Sequence, residues 1–223
     1  MEFWIIFIST MAASILVQSY LRNTYGRWQN VRASSGLSGA DTARAILSAN
    51  GLQDVQVEEV PGQLTDHYDP GKKVVRLSTA NYRSVSVAAN AVAAHEVGHA
   101  IQHAKAYGPL RLRSALVPAA NLGARFAPWI IIGGAMLGIF GLIQLGIILF
   151  GLAVLFQVVT LPVEYDASRR AGGELARLGI ATSGEVAGTK QVLNAAALTY
   201  VAAAAASVTY LLYYVMSFLG GRD

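Results

Sequence analysis

The chain has 223 residues, of which 54% are hydrophobic and only 13% charged, about half the charged fraction of an average soluble domain; this composition indicates a membrane protein. There is no cysteine, which excludes disulfide bonds and thiolate zinc sites, so that any metal ligand must be nitrogen or oxygen. The net charge of +4 comes without a patch of interleaved aromatic and basic residues, so nucleic acid is not an expected partner and the basic residues are assigned to loops beside membrane helices.

The first apolar segment, residues 3–21, contains no charge and as a helix would be about 28 Å long, close to the thickness of a hydrocarbon core. A cleaved signal peptide carries positive charge before its apolar stretch. Here Glu2 precedes the segment and three arginines follow it, Arg22, Arg27 and Arg32. This polarity predicts an uncleaved transmembrane anchor with its N-terminus outside.

Residues 22–125 form the first polar region, predicted to be the first part of a catalytic domain. Apolar periodicity predicts a short amphipathic helix over residues 38–51, with serine at its start and glycine at its end. The segments 54–60 and 73–78 have strand patterns and are predicted to pair as a small β-hairpin with a long connection. A longer helix follows over residues 84–107.

This longer helix contains the sequence VAAHEVGHAIQH. His95 and His99 are four residues apart and share one helix face, so both can bind one metal ion. Glu96 is rotated by about 100° and lies beside that ion, where it can act as a general base. Two histidines and a glutamate in this spacing are the metalloprotease signature, and Gly98 is expected to let another backbone approach. The alternative is a polar helix face that meets water or lines a membrane bundle.

The second apolar segment, residues 126–161, has no charge and as one helix would be about 54 Å long, too long for a single span. We therefore expect a hairpin of two transmembrane helices with its turn between residues 141 and 146. The alternative, a single long helix, would leave Glu164 across the membrane from His95. A hairpin returns the chain to the side of the histidines.

Residues 162–194 are predicted to form the second part of the catalytic domain. Within LPVEYDASRRAG, Glu164 is expected to open a helix after Pro162 and to supply the third ligand of a two-histidine, one-glutamate zinc shell. His103 lies about 12 Å along the helix axis from His95, too far to bind the same ion. It is therefore a candidate for a second-shell or surface role.

The last apolar segment, residues 195–219, is long enough to form a fourth transmembrane helix. All lysines and arginines except Arg222 lie in residues 22–125 and 162–194, which places both polar regions in the cytoplasm by the positive-inside rule. The expected fold is a mainly α-helical membrane protein with about four transmembrane helices and a zincin-like catalytic domain that contains a small β-hairpin.

Three motifs in order, LTDHYDPGKKVVRLS, HEVGHAIQH and LPVEYDASRRA, give a resemblance that covers nearly the whole chain. The sequence resembles the YugP-type membrane zinc metallopeptidases, a family of neutral zinc peptidases of bacteria. The resemblance implies a Zn²⁺ cofactor with His95 and His99 as ligands, Glu96 as the general base and Glu164 as the third ligand.

The layout is also similar to that of the HtpX-like gluzincins, which place a membrane hairpin between the histidines and the ligand glutamate. Those proteins carry, four residues after this glutamate, an aspartate that orients a ligand histidine. Here that position is Ser168, so Asp166 and Asp66 become the candidates for this second-shell role. His67 and Tyr68, in DHYDP, are candidates for stabilising the oxyanion of the transition state, or alternatively for fixing their loop.

These features predict a multi-pass zinc endopeptidase of a bacterial cell membrane, in which zinc-activated water and the base Glu96 hydrolyse peptides or membrane proteins at the cytoplasmic face. The strand 73–78 is expected to align the substrate by edge pairing. The alternative is a non-catalytic membrane scaffold or partner-binding protein with a structural metal site. The sequence carries no signal for the oligomeric state.

Overall fold

The computed structural model describes residues 1–62 and 64–220; Arg222, the basic residue set apart by the charge distribution, lies outside this part. The described chain is mainly helical and contains a small sheet. In chain order its elements are α1 (Glu2–Gln29), α2 (Gly39–Ala49), β1 (Gln56–Val60), β2 (His67–Asp69), β3 (Val74–Ser78), α3 (Thr79–Tyr82), α4 (Val87–Ala104), α5 (Gly108–Leu137), α6 (Phe140–Arg177) and α7 (Ser183–Gly220).

The chain divides into two compact units. Of the described residues, the first unit comprises Met1–Val17, Gly108–Pro162 and residues 199–220, and the second comprises those in Gln18–Tyr107 and Val163–Leu198. As predicted, four helices among the described residues are long and apolar enough to cross a membrane, namely α1, α5, α6 and α7. We treat as membrane-spanning those parts of the four helices that belong to the first unit, where many large apolar side chains are exposed, as lipid contact requires.

Within the first unit, α5 and α6 form the predicted helical hairpin, but the predicted position of its turn is wrong. The turn lies at Gly138, whose φ of +67° is accessible to glycine, and the Ile139 N–H donates to the Gly134 carbonyl at 2.8 Å, as at many helix C-termini. The segment 141–146 lies inside α6 instead. Its last residue, Gly146, faces α5 so closely that a Cβ there would lie 3.2 Å from a backbone oxygen.

The prediction that a new helix begins after Pro162 is also wrong. Instead α6 runs without interruption from Phe140 to Arg177 and contains Pro162 in its interior. Proline removes one backbone hydrogen bond and often kinks or ends a helix, but long apolar helices tolerate it because neighbouring groups satisfy the freed carbonyl. Glu164 therefore lies within a long helix, rather than at the start of a short one.

The core of the second unit lies between α2, α4 and the sheet. Helix α2 begins with a capping box, in which the Ser38 hydroxyl accepts from the Asp41 N–H and the Asp41 carboxylate accepts from the Ser38 N–H. Its apolar face places Ile46 against the same fully buried cluster that contains Leu77 of β3 and Val97 of α4. This cluster supports α4 from one side and so fixes the helix that carries the two histidines.

The predicted hairpin of the segments 54–60 and 73–78 is wrong, because these strands run parallel. Strand β1 pairs with β3 in a register that places Gln56 opposite Val74, while β2 pairs with β3 in the antiparallel sense, giving the order β1-β3-β2. The long connection contains β2, so the chain reverses twice before β3 begins. Since β3 is central and paired on both sides, the expected alignment of substrate along its edge is also wrong.

Candidate metal centre

Helix α4 carries the two histidines at its centre. It begins after Ser86, whose hydroxyl accepts from the Ala89 N–H, and its residues are mostly alanine and valine. Because His95 and His99 are four residues apart, they project from the same face, and their ring centroids are 4.8 Å apart. Both side chains are largely buried, so their nitrogens face the protein interior rather than bulk water.

Helix α6 approaches α4 at Gly98. A Cβ at this position would lie 2.6 Å from the backbone oxygen of Ala167, a separation that no side chain can adopt without moving one of the helices. The expectation that Gly98 admits another backbone is therefore confirmed, and the backbone is that of α6. This close approach places Glu164, one turn before Ala167, beside the histidines.

The three predicted ligands converge. An oxygen of Glu164 lies 3.2 Å from Nε2 of His95 and 3.7 Å from Nε2 of His99, and one ligand atom from each residue lies within 4.8 Å of the others. Ligands bound tetrahedrally to zinc at about 2.0–2.2 Å are separated by about 3.3–3.6 Å. Two imidazole nitrogens and a carboxylate oxygen are also a zinc donor set, so the residues present fit a zinc ion.

The two glutamates of this centre belong to the second unit, and their pKa values are shifted in opposite directions. Burial raises the pKa of Glu96, and the nearby His95 and His99 only partly oppose this rise. Burial also tends to raise the pKa of Glu164, but the adjacent imidazoles of His95 and His99 outweigh that effect and lower the pKa. Glu164 is thus held in the ionised form that a metal ligand requires.

Sequence reasoning missed Gln102, which contacts His99 one turn along α4. Its side-chain oxygen lies 3.0 Å from Nδ1 of His99, and its amide nitrogen donates to Asp166 at 2.9 Å. Asp166, a candidate for orienting a histidine, therefore reaches His99 only through Gln102, and it also binds Arg169 and Arg170. A glutamine three residues after a predicted ligand histidine was the available signal, because such residues share a helix face.

His95 has a different neighbour. The Ser168 hydroxyl lies 3.2 Å from Nδ1 of His95, so the serine at the position where the gluzincins carry aspartate makes a contact with a site histidine. Asp66, the other candidate for that role, binds elsewhere: it accepts from the backbone and hydroxyl of Ser78 and from the amide of Asn81. These contacts tie the residue that precedes β2 to the junction of β3 and α3.

The remaining candidates lie on or beside β2. Nδ1 of His67 lies 2.8 Å from the Thr65 carbonyl oxygen, and the Tyr68 hydroxyl lies 2.8 Å from Nδ1 of His103. These contacts fix the loop and tie β2 to the C-terminal part of α4. His103 is not part of the metal-ligand group, in keeping with its expected distance from His95, and a role of His67 or Tyr68 in oxyanion stabilisation stays a prediction.

Residues 3–219 match the protein family described as "Putative neutral zinc metallopeptidase". The chain belongs to this family. It is also 49% identical over 223 residues, covering 100% of its own length and 99% of the relative, to the protein named "Putative membrane protease YugP" of Bacillus subtilis (strain 168). No solved structure matches the chain. The resemblance inferred from the three motifs is thus confirmed, and in this member of the zinc metallopeptidase family His95, His99 and Glu164 form a group that can hold a metal ion.

Proposed function

We propose that the protein is a membrane-embedded zinc endopeptidase of gluzincin type, which hydrolyses peptides or membrane proteins and uses its second unit as a zincin-like catalytic domain. The observation that carries this proposal is the convergence of His95, His99 and Glu164 on one metal-sized space, in a chain from a zinc metallopeptidase family. These three residues would hold the zinc. A zinc ion in such a site supplies Lewis acidity to the substrate carbonyl and lowers the pKa of water.

Glu96 is the proposed general base. It follows His95 on α4 and is only 8% exposed, and the rotation of about 100° per residue directs it beside the ligands rather than among them. Its raised pKa brings the carboxylate closer to the range in which a general base works near neutral pH. In the proposed reaction, Glu96 takes a proton from the attacking water and delivers it to the leaving amine.

The environment of Glu96 favours catalysis over a scaffold with a structural metal. No residue in the described part of the chain donates a hydrogen bond to its carboxylate, and a buried carboxylate without donors destabilises the fold. A structural zinc site is normally closed by four protein ligands, whereas a catalytic site has three and leaves the fourth position to water. In the described chain three ligand residues converge, and Glu96 has the position to accept a proton from that water.

The substitution Glu96→Gln tests this proposal. We expect cleavage of an unfolded protein substrate by the detergent-purified chain to fall by about 10²- to 10⁴-fold, because the amide cannot take a proton, while zinc content stays unchanged. Glu58→Gln, at an exposed position of β1, is the matched control and should retain full activity. Undiminished cleavage by Glu96→Gln would refute the mechanism, and the absence of any cleavage by the wild-type chain with zinc bound would favour the scaffold.

We further propose that the catalytic residues face the cytoplasm of a bacterial cell, since all lysines and arginines except Arg222 lie in the two predicted polar regions. The chain has no cysteine, so a single cysteine introduced at the exposed Asp54 reports its own side of the membrane. We expect this cysteine to resist a membrane-impermeant thiol reagent in intact spheroplasts and to react after lysis. Labelling of intact spheroplasts would place the site outside.

A further inference from the structure

Gln102 is the most completely enclosed polar side chain at the metal centre. It is 0% exposed and makes three hydrogen bonds. Its oxygen Oε1 lies 3.0 Å from Nδ1 of His99. Its nitrogen Nε2 donates to the Val163 carbonyl oxygen at 2.8 Å and to a carboxylate oxygen of Asp166 at 2.9 Å.

These partners determine the orientation of the amide. A carbonyl and a carboxylate are acceptors only, whereas an amide offers two N–H donors on its nitrogen and lone pairs on its oxygen. Both donors of Gln102 are therefore used by Val163 and Asp166. A flipped amide would place its oxygen against two acceptors and its nitrogen against His99, so the hydrogen-bonding network excludes that orientation.

The fixed amide determines which nitrogen of His99 carries the proton. Oε1 of Gln102 can only accept, so Nδ1 of His99 must donate. In the neutral imidazole, the other nitrogen, Nε2, then keeps its lone pair, and this is the atom that lies 3.7 Å from Glu164.

Nδ1 of His95 has a different kind of neighbour. It lies 3.2 Å from the Ser168 hydroxyl, which can either donate or accept, while the Glu164 carboxylate lies on the other side of the ring, 3.2 Å from Nε2. The two histidines of the centre therefore differ: Nδ1 of His99 faces a group that can only accept, whereas Nδ1 of His95 faces a hydroxyl that fits either protonation of that nitrogen.

We propose that Gln102 is a positioning residue, which holds His99 as the Nδ1–H tautomer and directs its Nε2 toward the metal position. The inference rests on the proposed zinc site but concerns a state of the metal-free chain as well. The amide of Gln102 would then accept the Nδ1–H hydrogen bond that a carboxylate accepts from many metal-binding histidines. Asp166, held in turn by Arg170, acts one step further out by using one donor of the amide.

Two substitutions separate positioning from simple packing. Gln102→Met keeps an unbranched side chain of similar length but removes the acceptor, and we expect zinc affinity, measured by competition with a chelator in detergent, to fall by about 10- to 100-fold. The double variant Gln102→Glu/Asp166→Asn keeps an acceptor for His99 and the same net charge, and it replaces the Asp166 acceptor by an amide that can donate to the new carboxylate; it should retain more affinity than Gln102→Met. Ser168→Ala is the matched control at the other histidine and should lose less affinity than Gln102→Met.

A spectroscopic measurement tests the tautomer without zinc or activity. In metal-free protein labelled with ¹⁵N-histidine, at a pH where the imidazoles are neutral, the His99 resonances should show a protonated Nδ1 in the wild-type chain and in Gln102→Glu/Asp166→Asn, and a mixture of tautomers in Gln102→Met. An unprotonated Nδ1 in the wild-type chain, or equal zinc affinities for folded Gln102→Met and wild type, would overturn the proposal. If Gln102→Met does not fold, the wild-type spectrum decides: a protonated Nδ1 of His99 supports the proposal, and an unprotonated Nδ1 overturns it.

The outcomes also separate this inference from the proposed function. A wild-type chain that binds no zinc but shows the predicted His99 tautomer would refute the zinc peptidase and keep the role of Gln102. A chain that binds zinc and cleaves substrate equally well with Gln102 or Met at this position would keep the peptidase and refute the positioning role.

Discussion

Carboxylate side chains are buried at the contact between α4 and α6 but exposed beside the small three-stranded sheet. At the helix contact, Glu164 is only 3% exposed and lies against two histidines. At the sheet, the Asp54 side chain is 58% exposed and pairs with Lys73 at 2.7 Å. A surface ion pair of this kind contributes little to stability, since water already solvates both charges.

A buried charge, by contrast, requires partners because it has left the solvent. A short distance between two charges therefore says little about their contribution to stability. The degree of burial determines how strongly each charge depends on its partner. Substitutions of the buried groups are therefore expected to have effects that substitutions of the exposed groups do not have.

The largest effect is expected for Glu164→Ala. Removing one of three ligands should lower zinc content from about one ion per chain to little or none, with a loss of affinity greater than the 10- to 100-fold typical of an outer-shell partner. The measurement is zinc per purified chain by atomic emission. Glu174→Ala is the matched control on the same helix, because Glu174 binds Asn50 and Arg177 and neither site histidine. Equal zinc content in wild type and Glu164→Ala would remove Glu164 from the site.

The next effect concerns the approach of the two helices. Gly98→Ala places a Cβ 2.6 Å from the Ala167 backbone oxygen, and the forced separation should destabilise the chain by about 2 to 3 kcal/mol and weaken zinc binding, because Glu164 moves with α6. Thermal melting in detergent measures the first effect and chelator competition the second. Gly172→Ala on α6, where a Cβ meets open space, should be neutral or slightly stabilising. Equal melting temperatures for the two variants would contradict the close contact.

The smallest effect is expected at Glu185, a buried carboxylate far from the site in sequence. It accepts from the backbone and hydroxyl of both Ser34 and Thr182, and these bonds outweigh burial and lower its pKa to about 2. Glu185→Gln should reduce stability at pH 7 by about 1 to 2 kcal/mol, because hydrogen bonds to a charged acceptor are the stronger ones.

The pH dependence at Glu185 has a definite sign. A lowered pKa in the folded chain adds stability above the ordinary glutamate value of about 4.5, and this stability is lost as the pH falls toward 2. The difference in melting temperature between wild type and Glu185→Gln should therefore be full at pH 7 and shrink at pH 3. The exposed control, Asp54→Asn, should change the melting temperature little at either pH. A larger shift for Asp54→Asn than for Glu185→Gln would contradict the larger contribution of the buried carboxylate.

Much of the site could be predicted from local sequence. The two histidines and Glu96 belong to one helix, whose periodicity fixes their relative directions without any knowledge of the rest of the fold. Glu164 could be nominated because a charge-free segment of 36 residues had to turn back. The spacing of three residues could have placed Gln102 beside His99. The contacts of Gln102 with Asp166 and of Ser168 with His95 could not be assigned, because they depend on the packing of α6 against α4, which no local pattern contains.

By itself, the sequence determined the membrane class, the four long apolar helices and the spacing of the histidines, because hydropathy and helical periodicity act over neighbouring residues. Only the tertiary structure decided that β1 and β3 run parallel, that α6 continues through Pro162, and that Asp66 binds near α3 rather than at a histidine. These features depend on pairing between segments distant in the chain. Their free energy comes from backbone hydrogen bonds and close packing that form only once the chain has folded.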